Sequence, residues 1–81
     1  MNQLALDVKQ EKARLSKQCA MILGRLAEGP ATNWLLSTLS LKYTGRISEL
    51  RQRGHDVRVI ARDYKTGEVT YALFSDGKMV P

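Results

Sequence analysis

The sequence predicts an α+β domain: three short helices followed by a two-stranded β-hairpin. Three observations carry this. Apolar residues recur at helical spacing in three successive stretches between about residues 16 and 53. Those stretches are punctuated by cap and stop chemistry at Ser16, Glu28-Gly29-Pro30, Thr32, Thr44 and Gly54. Beyond Gly54 the period falls to two, with turn residues halfway, as in a hairpin.

The chain has 81 residues and a formal net charge of +5. A single domain of this size buries about 60–65% of its unfolded surface, which gives one modest core and no deep catalytic cavity. The basic balance favours polyanionic partners such as nucleic acid or an acidic membrane surface. Cys19 is the only cysteine, so there is no intrachain disulfide framework, in keeping with a reducing compartment. No apolar run approaches the roughly 20 residues of a membrane span. Met1-Asn2-Gln3-Leu4 lacks a basic segment followed by an apolar core, so no secretory signal is read there and a cytoplasmic location is expected.

Residues 1–15 combine helix formers with many charges, and Leu4, Val8 and Leu15 are sparse apolar positions. They read as an N-terminal helical arm or lead-in. The domain proper is expected over residues 16–74. Ser16 caps a first helix of about three turns, in which Ala20, Leu23 and Ala27 share a face with Cys19, Ile22 and Leu26 beside them. Gly29 and Pro30 stop it. Thr32 caps a second helix in which Leu35 and Leu39 stack, with Trp34 and Leu36 to either side. Ser40-Leu41-Lys42 makes a short turn with Leu41 as an apolar plug. Thr44 caps the third helix, about residues 44–53, and Gly54 ends it in the left-handed conformation.

Within that third helix Tyr43, Ile47, Leu50 and Gly54 form one thin apolar edge. Gly45, Ser48, Glu49 and Gln52 lie opposite, flanked by Arg46 and Arg53. Val57, Val59 and Ala61 then alternate with Arg58, Ile60 and Arg62. Asp63-Tyr64-Lys65-Thr66-Gly67 supplies a turn, and Val69, Tyr71 and Leu73 alternate with Thr70, Ala72 and Phe74. Residues 75–81 read as a C-terminal tail. Helix, helix, turn, helix, hairpin is the winged helix-turn-helix layout, with the third helix as reader and the hairpin as wing.

From about Ser16 to Leu73 the chain resembles the small winged helix-turn-helix domains common in phages and prophages. Glu28-Gly29-Pro30, Thr32-Asn33-Trp34, Arg46-Ile47, Leu50-Arg51 and Arg53-Gly54-His55-Asp56-Val57 carry the resemblance. Gly45 stands where a helix former is expected, and Ser40 where glycine is frequent. The resemblance implies a double-stranded DNA-binding protein, a small phage or prophage transcriptional regulator acting by occupancy. The third helix would enter the major groove and the wing would follow the backbone.

The DNA-binding candidates are Lys42, Thr44, Arg46, Ser48, Gln52, Arg53, Arg58, Arg62 and Lys65. Arg46 lies in the first turn of the reader, where base contacts are usual, and pairing with Glu49 is its alternative role. Ser48 and Gln52 face outward with it. Glu49 accepts from cytosine or pairs with Arg53 one turn on. Lys42 and Thr44 lie where a helix N-terminus would meet phosphate. Arg58, Arg62 and Lys65 line the wing. One domain reads few base pairs, so a homodimer through residues 2–15 is expected. Two other readings stay open: a winged helix that docks on a host or phage protein, and a DNA-architectural or recombination accessory factor. No catalytic constellation, metal-ligand spacing or phosphate loop is present, so no enzyme activity and no cofactor are expected.

Overall fold

The computed structural model describes residues 16–81. The arm expected over residues 1–15, and the dimer contact assigned to residues 2–15, lie outside that range. The described chain forms three helices and a four-stranded antiparallel sheet, an α+β arrangement compatible with a winged helix.

Helix α1 is Lys17–Ala27, and the Ser16 hydroxyl caps it by accepting from the Cys19 amide at 3.0 Å. Its buried stripe is Cys19, Ile22 and Leu26. Ala20 and Ala27, expected on the inner face, are exposed. The larger side chains take the core because each removes far more apolar area from water than an alanine does. Arg25 closes the C-terminus by donating to the Gly29 and Pro30 carbonyls at 3.2 and 3.3 Å.

A two-residue strand absent from the sequence reading, β1 (Ala31–Thr32), follows. Helix α2 is Asn33–Leu39, capped by Thr32 Oγ1, which accepts from the Leu35 amide at 3.2 Å. Leu36 is its one fully buried residue, whereas Leu35 and Trp34 reach solvent.

The turn into the third helix differs from expectation. Leu41 does not plug the core; it is 93% exposed, and Ser40 at 4% takes the inward place. Ser40 is extended (φ −159°, ψ 127°), so consecutive side chains point to opposite sides and only one of the two can face in. Its hydroxyl donates to Gln18 Oε1 at 2.8 Å and accepts from the Lys42 amide at 3.2 Å. A hydroxyl satisfied twice is buried at little cost. The extended φ also explains why no glycine is needed there.

Helix α3 is Tyr43–Gln52. Thr44 is not its cap: Lys42 holds that place without a side-chain cap bond, and the Lys42 carbonyl accepts from the Arg46 amide at 3.0 Å. Tyr43 packs edge-on against Tyr71, with ring centroids 6.3 Å apart, which fixes residue 43 inside the first helical turn. The stop falls where expected. Gly54 has φ +96°, its amide bonds the Arg51 carbonyl, and the His55 amide bonds the Leu50 carbonyl, a Schellman closure.

Strands β2 (Asp56–Asp63) and β3 (Glu68–Ser75) form the expected hairpin, with Gly67 at φ +80° in its turn. The strand order is β1-β3-β2. Residues 75–81 are not a loose tail. Asp76 and Gly77, both at positive φ, make the two-residue turn that pairs β4 (Lys78–Met79) with β3. The helices pack on one sheet face around Cys19, Ile22, Leu26, Leu36, Ile47, Leu50 and Val57, with Tyr71 and Leu73 against them. No described helix is long and apolar enough to cross a membrane.

Candidate nucleic-acid interface

Ile47 and Leu50 anchor α3 in the core, so its opposite face is presented outward. Thr44, Gly45, Ser48 and Gln52 are exposed there. Arg46 and Arg53 lie along one flank and converge on Glu49: Arg46 Nη1 is 3.1 Å from Glu49 Oε1 and Arg53 Nε is 3.7 Å from Oε2. All three side chains are only a quarter to a third exposed. The carboxylate cancels one positive charge of the pair at close range. Lys42 is exposed at the helix N-terminus, beside a groove of about 410 Å³ that Gln18, Leu41 and Arg46 also line.

The β2–β3 hairpin departs from plain alternation. The pairing runs Asp56 with Phe74, Val57 with Leu73, Arg58 with Ala72 and Val59 with Tyr71. It resumes at Ala61 with Thr70, Arg62 with Val69 and Asp63 with Glu68. Ile60 is the extra residue of a β-bulge. Alternation alone would place Arg58 and Arg62 on one face. The bulge moves the distal half of β2 over by one position. Arg62 therefore shares the inner, helix-facing side with Val59, Val69 and Tyr71. Arg58, Asp63 and Glu68 lie on the outer side.

This sorting separates the hairpin's charges. Arg58 donates to both carboxylate oxygens of Asp56, at 3.0 and 2.7 Å, and stacks over the Phe74 ring at 4.3 Å. That hydrogen-bonded pairing holds the Asp56 carboxyl below its usual range and pushes the Arg58 guanidinium up. Lys65 is exposed at the tip. Asp63 organises the turn by accepting from the Lys65 amide at 2.9 Å. Asn33 fastens the hairpin to the start of α2: its Nδ2 donates to the Gly67 carbonyl at 3.2 Å, and its Oδ1 accepts from the Val69 amide at 2.9 Å.

Three residues outside the predicted set join the site. Arg51 is exposed at the edge of α3 nearest β2, and its Nε donates to the Val57 carbonyl at 2.9 Å. Tyr43 and Tyr71 form the edge-on pair between α3 and β3. Burial, then the neighbouring Tyr43, push the Tyr71 phenol up against the opposing pull of Arg51 and Arg62, so it keeps its proton. Tyr43 is visible in the sequence as part of the apolar edge. Nothing in the sequence marks the bulge that brings Arg62 to the same side.

Cys19 is buried, as expected, with Sγ 3.8 Å from the Arg46 carbonyl. Trp34 is 50% exposed. Among the described residues no group of three histidine, cysteine or carboxylate side chains could hold a metal ion. No family model, characterised protein or solved structure matches this chain.

Proposed function

We propose that this protein binds double-stranded DNA as a winged helix-turn-helix regulator. The outer face of α3 enters the major groove and the wing follows the backbone. One observation carries the reading. Lys42, Arg51, Arg62 and Lys65 have no carboxylate partner among the described residues; Lys42 and Arg51 adjoin the exposed polar face formed by Thr44, Gly45, Ser48 and Gln52, and Arg62 and Lys65 lie on the hairpin. Positive charge at these positions suits phosphate contacts by a reader helix and wing. The phage or prophage origin rests on the sequence resemblance alone.

The test is fluorescence anisotropy of labelled duplexes over a salt series. Each phosphate contact contributes about 0.9 to the slope of log affinity against log salt. Lys42→Ala, Arg62→Ala and Lys65→Ala together are expected to flatten that slope by about 2.7. Absence of binding to any duplex at low salt refutes the reading.

A second reading is supported by Glu49. Because its single carboxylate is shared by Arg46 and Arg53 and cancels one of their two charges, that flank suits a protein partner better than phosphate. Leu41, almost fully exposed beside Lys42, adds apolar area there. Salt-insensitive capture of a protein partner, without duplex binding, is the outcome that would favour it.

A further inference from the structure

The angle between α3 and the inner face of the wing collects four groups that hydrogen-bond to anions. Arg51 projects from the helix edge and Arg62 from β2. The tyrosines belong to the ring pair that joins α3 to β3. Val59 pairs with Tyr71 and Arg62 with Val69, so Arg62 is a diagonal neighbour of Tyr71 on one face. Arg51 and Arg62 both act electrostatically on the Tyr71 hydroxyl. Arg51 spends Nε on the Val57 carbonyl, which leaves its two terminal nitrogens to donate.

The carboxylates of the wing stand elsewhere. Asp63 and Glu68 pair across the strands on the outer face, and Asp56 is occupied by Arg58 on that same side. The inner face therefore carries positive charge and phenolic donors without an adjacent acid among the described wing residues. A plain hairpin would not give this arrangement, because without the Ile60 bulge Arg62 would fall on the outer face with Asp56 and Arg58.

We propose that Arg51, Arg62 and the hydroxyls of Tyr43 and Tyr71 form a clamp for one backbone phosphate of bound DNA, positioned by the Ile60 bulge. The inference rests on the DNA-binding reading above. A phosphodiester suits the donor set: two guanidiniums supply charge and planar donors, and the hydroxyls supply neutral donors at the side. The clamp fixes where the wing sits along the duplex and carries no base preference.

The experiment uses the full chain and two duplexes of unrelated sequence, with anisotropy read over a salt series. The variants are Arg62→Gln, the double change Tyr43→Phe/Tyr71→Phe, and the three changes combined. Phenylalanine keeps the ring pair, and Arg62 is exposed, so circular dichroism and the melting temperature are expected to stay near wild type. Arg62→Gln should flatten the salt slope by clearly less than the roughly 0.9 of a whole phosphate contact, because Arg51 still neutralises the shared phosphate. The tyrosine pair should weaken both duplexes equally, by about tenfold. Because all these groups share one phosphate, the combined loss should be clearly smaller than the product of the separate losses.

Binding by wild type with multiplicative losses, or with unchanged tyrosine variants, overturns the clamp and leaves DNA binding standing. A loss confined to one of the two duplexes also overturns it, because a phosphate clamp carries no sequence information. Failure of wild type to bind either duplex removes the DNA-binding reading, and the clamp with it.

Discussion

Replacing Gly45 with alanine separates what the fold needs from what the exposed face of α3 does. Gly45 lies in the first turns of that helix, at ordinary helical φ. A methyl group placed on it meets no atom within 4 Å. The fold therefore gives no steric reason for glycine at this position. Alanine removes backbone freedom from the unfolded chain and should stabilise the helix by about 0.5–1 kcal/mol. For a domain of this size each kcal/mol moves the melting temperature by about 4–8 °C, so the expected rise is roughly 2–8 °C. The same methyl projects from the middle of the polar face between Thr44 and Ser48. If that face lies against a DNA groove, the added bulk holds the backbone away and affinity falls. Thermal unfolding followed by circular dichroism, with anisotropy on the same preparation, reads both effects. A lowered melting temperature refutes the helix argument. A raised melting temperature with unchanged affinity refutes close approach at Gly45.

Four further outcomes follow from the geometry. Asn33→Ala removes two hydrogen bonds between α2 and the hairpin and should cost about 1–3 kcal/mol by denaturant unfolding. Hydrogen exchange at the Val69 amide should speed up most. Glu49→Gln removes one negative charge from the α3 flank beside Arg46, so binding to random-sequence duplex should tighten with a steeper salt dependence in anisotropy. Leu41→Ser should leave stability within about 0.5 kcal/mol in a urea titration, because the side chain is already in solvent. Asp56 is held below its usual range by Arg58, so its contribution to stability is present above about pH 4 and is lost as pH falls through the lowered value. A carboxyl-carbon NMR titration should show the depressed midpoint, and Arg58→Ala should restore the ordinary one.

Much of the architecture is legible because its signals are local. Ser16, Thr32 and Gly54 act through hydrogen bonds or dihedrals within a few residues of themselves, and they bound the helices as read. The hairpin turn at Asp63–Gly67 has the same character. Asp76-Gly77 carries an equally local signal, but only two paired residues follow it, too few to show a strand's alternation. The misplaced features depend on the tertiary surroundings. Whether Ser40 or Leu41 faces inward depends on Gln18, 22 residues away, which supplies the hydroxyl's partner. Thr44 loses the cap position because Tyr43 is held by Tyr71 on a distant strand.

The candidate site divides along the same line. The spacings of Glu49 from Arg46 and Arg53 announce ion pairs on one helix, and both form. Arg62 and Lys65 lie on the hairpin strand and turn where the sequence reads them. The sequence does not reveal which side of the hairpin Arg62 faces, since Val59, Ile60 and Ala61 all fit an unbroken strand and the register shift is set by pairing with β3.

The irregularity at Ile60 also bears on how these molecules behave in a crowded solution. Within the described chain β2 is hydrogen-bonded on one side only, to β3, so about half of the backbone donors and acceptors along its eight residues face outward on its other edge. A flat strand of that length is a template on which another chain can build a continuous sheet. A bulge in its middle bends and twists the strand, so an incoming segment cannot stay in register past residue 60. Arg51 covers the Val57 carbonyl, and charged side chains at positions 56, 58, 62 and 63 oppose close stacking. The interruption that turns one arginine toward the helices thus also guards the open border of the sheet against self-association.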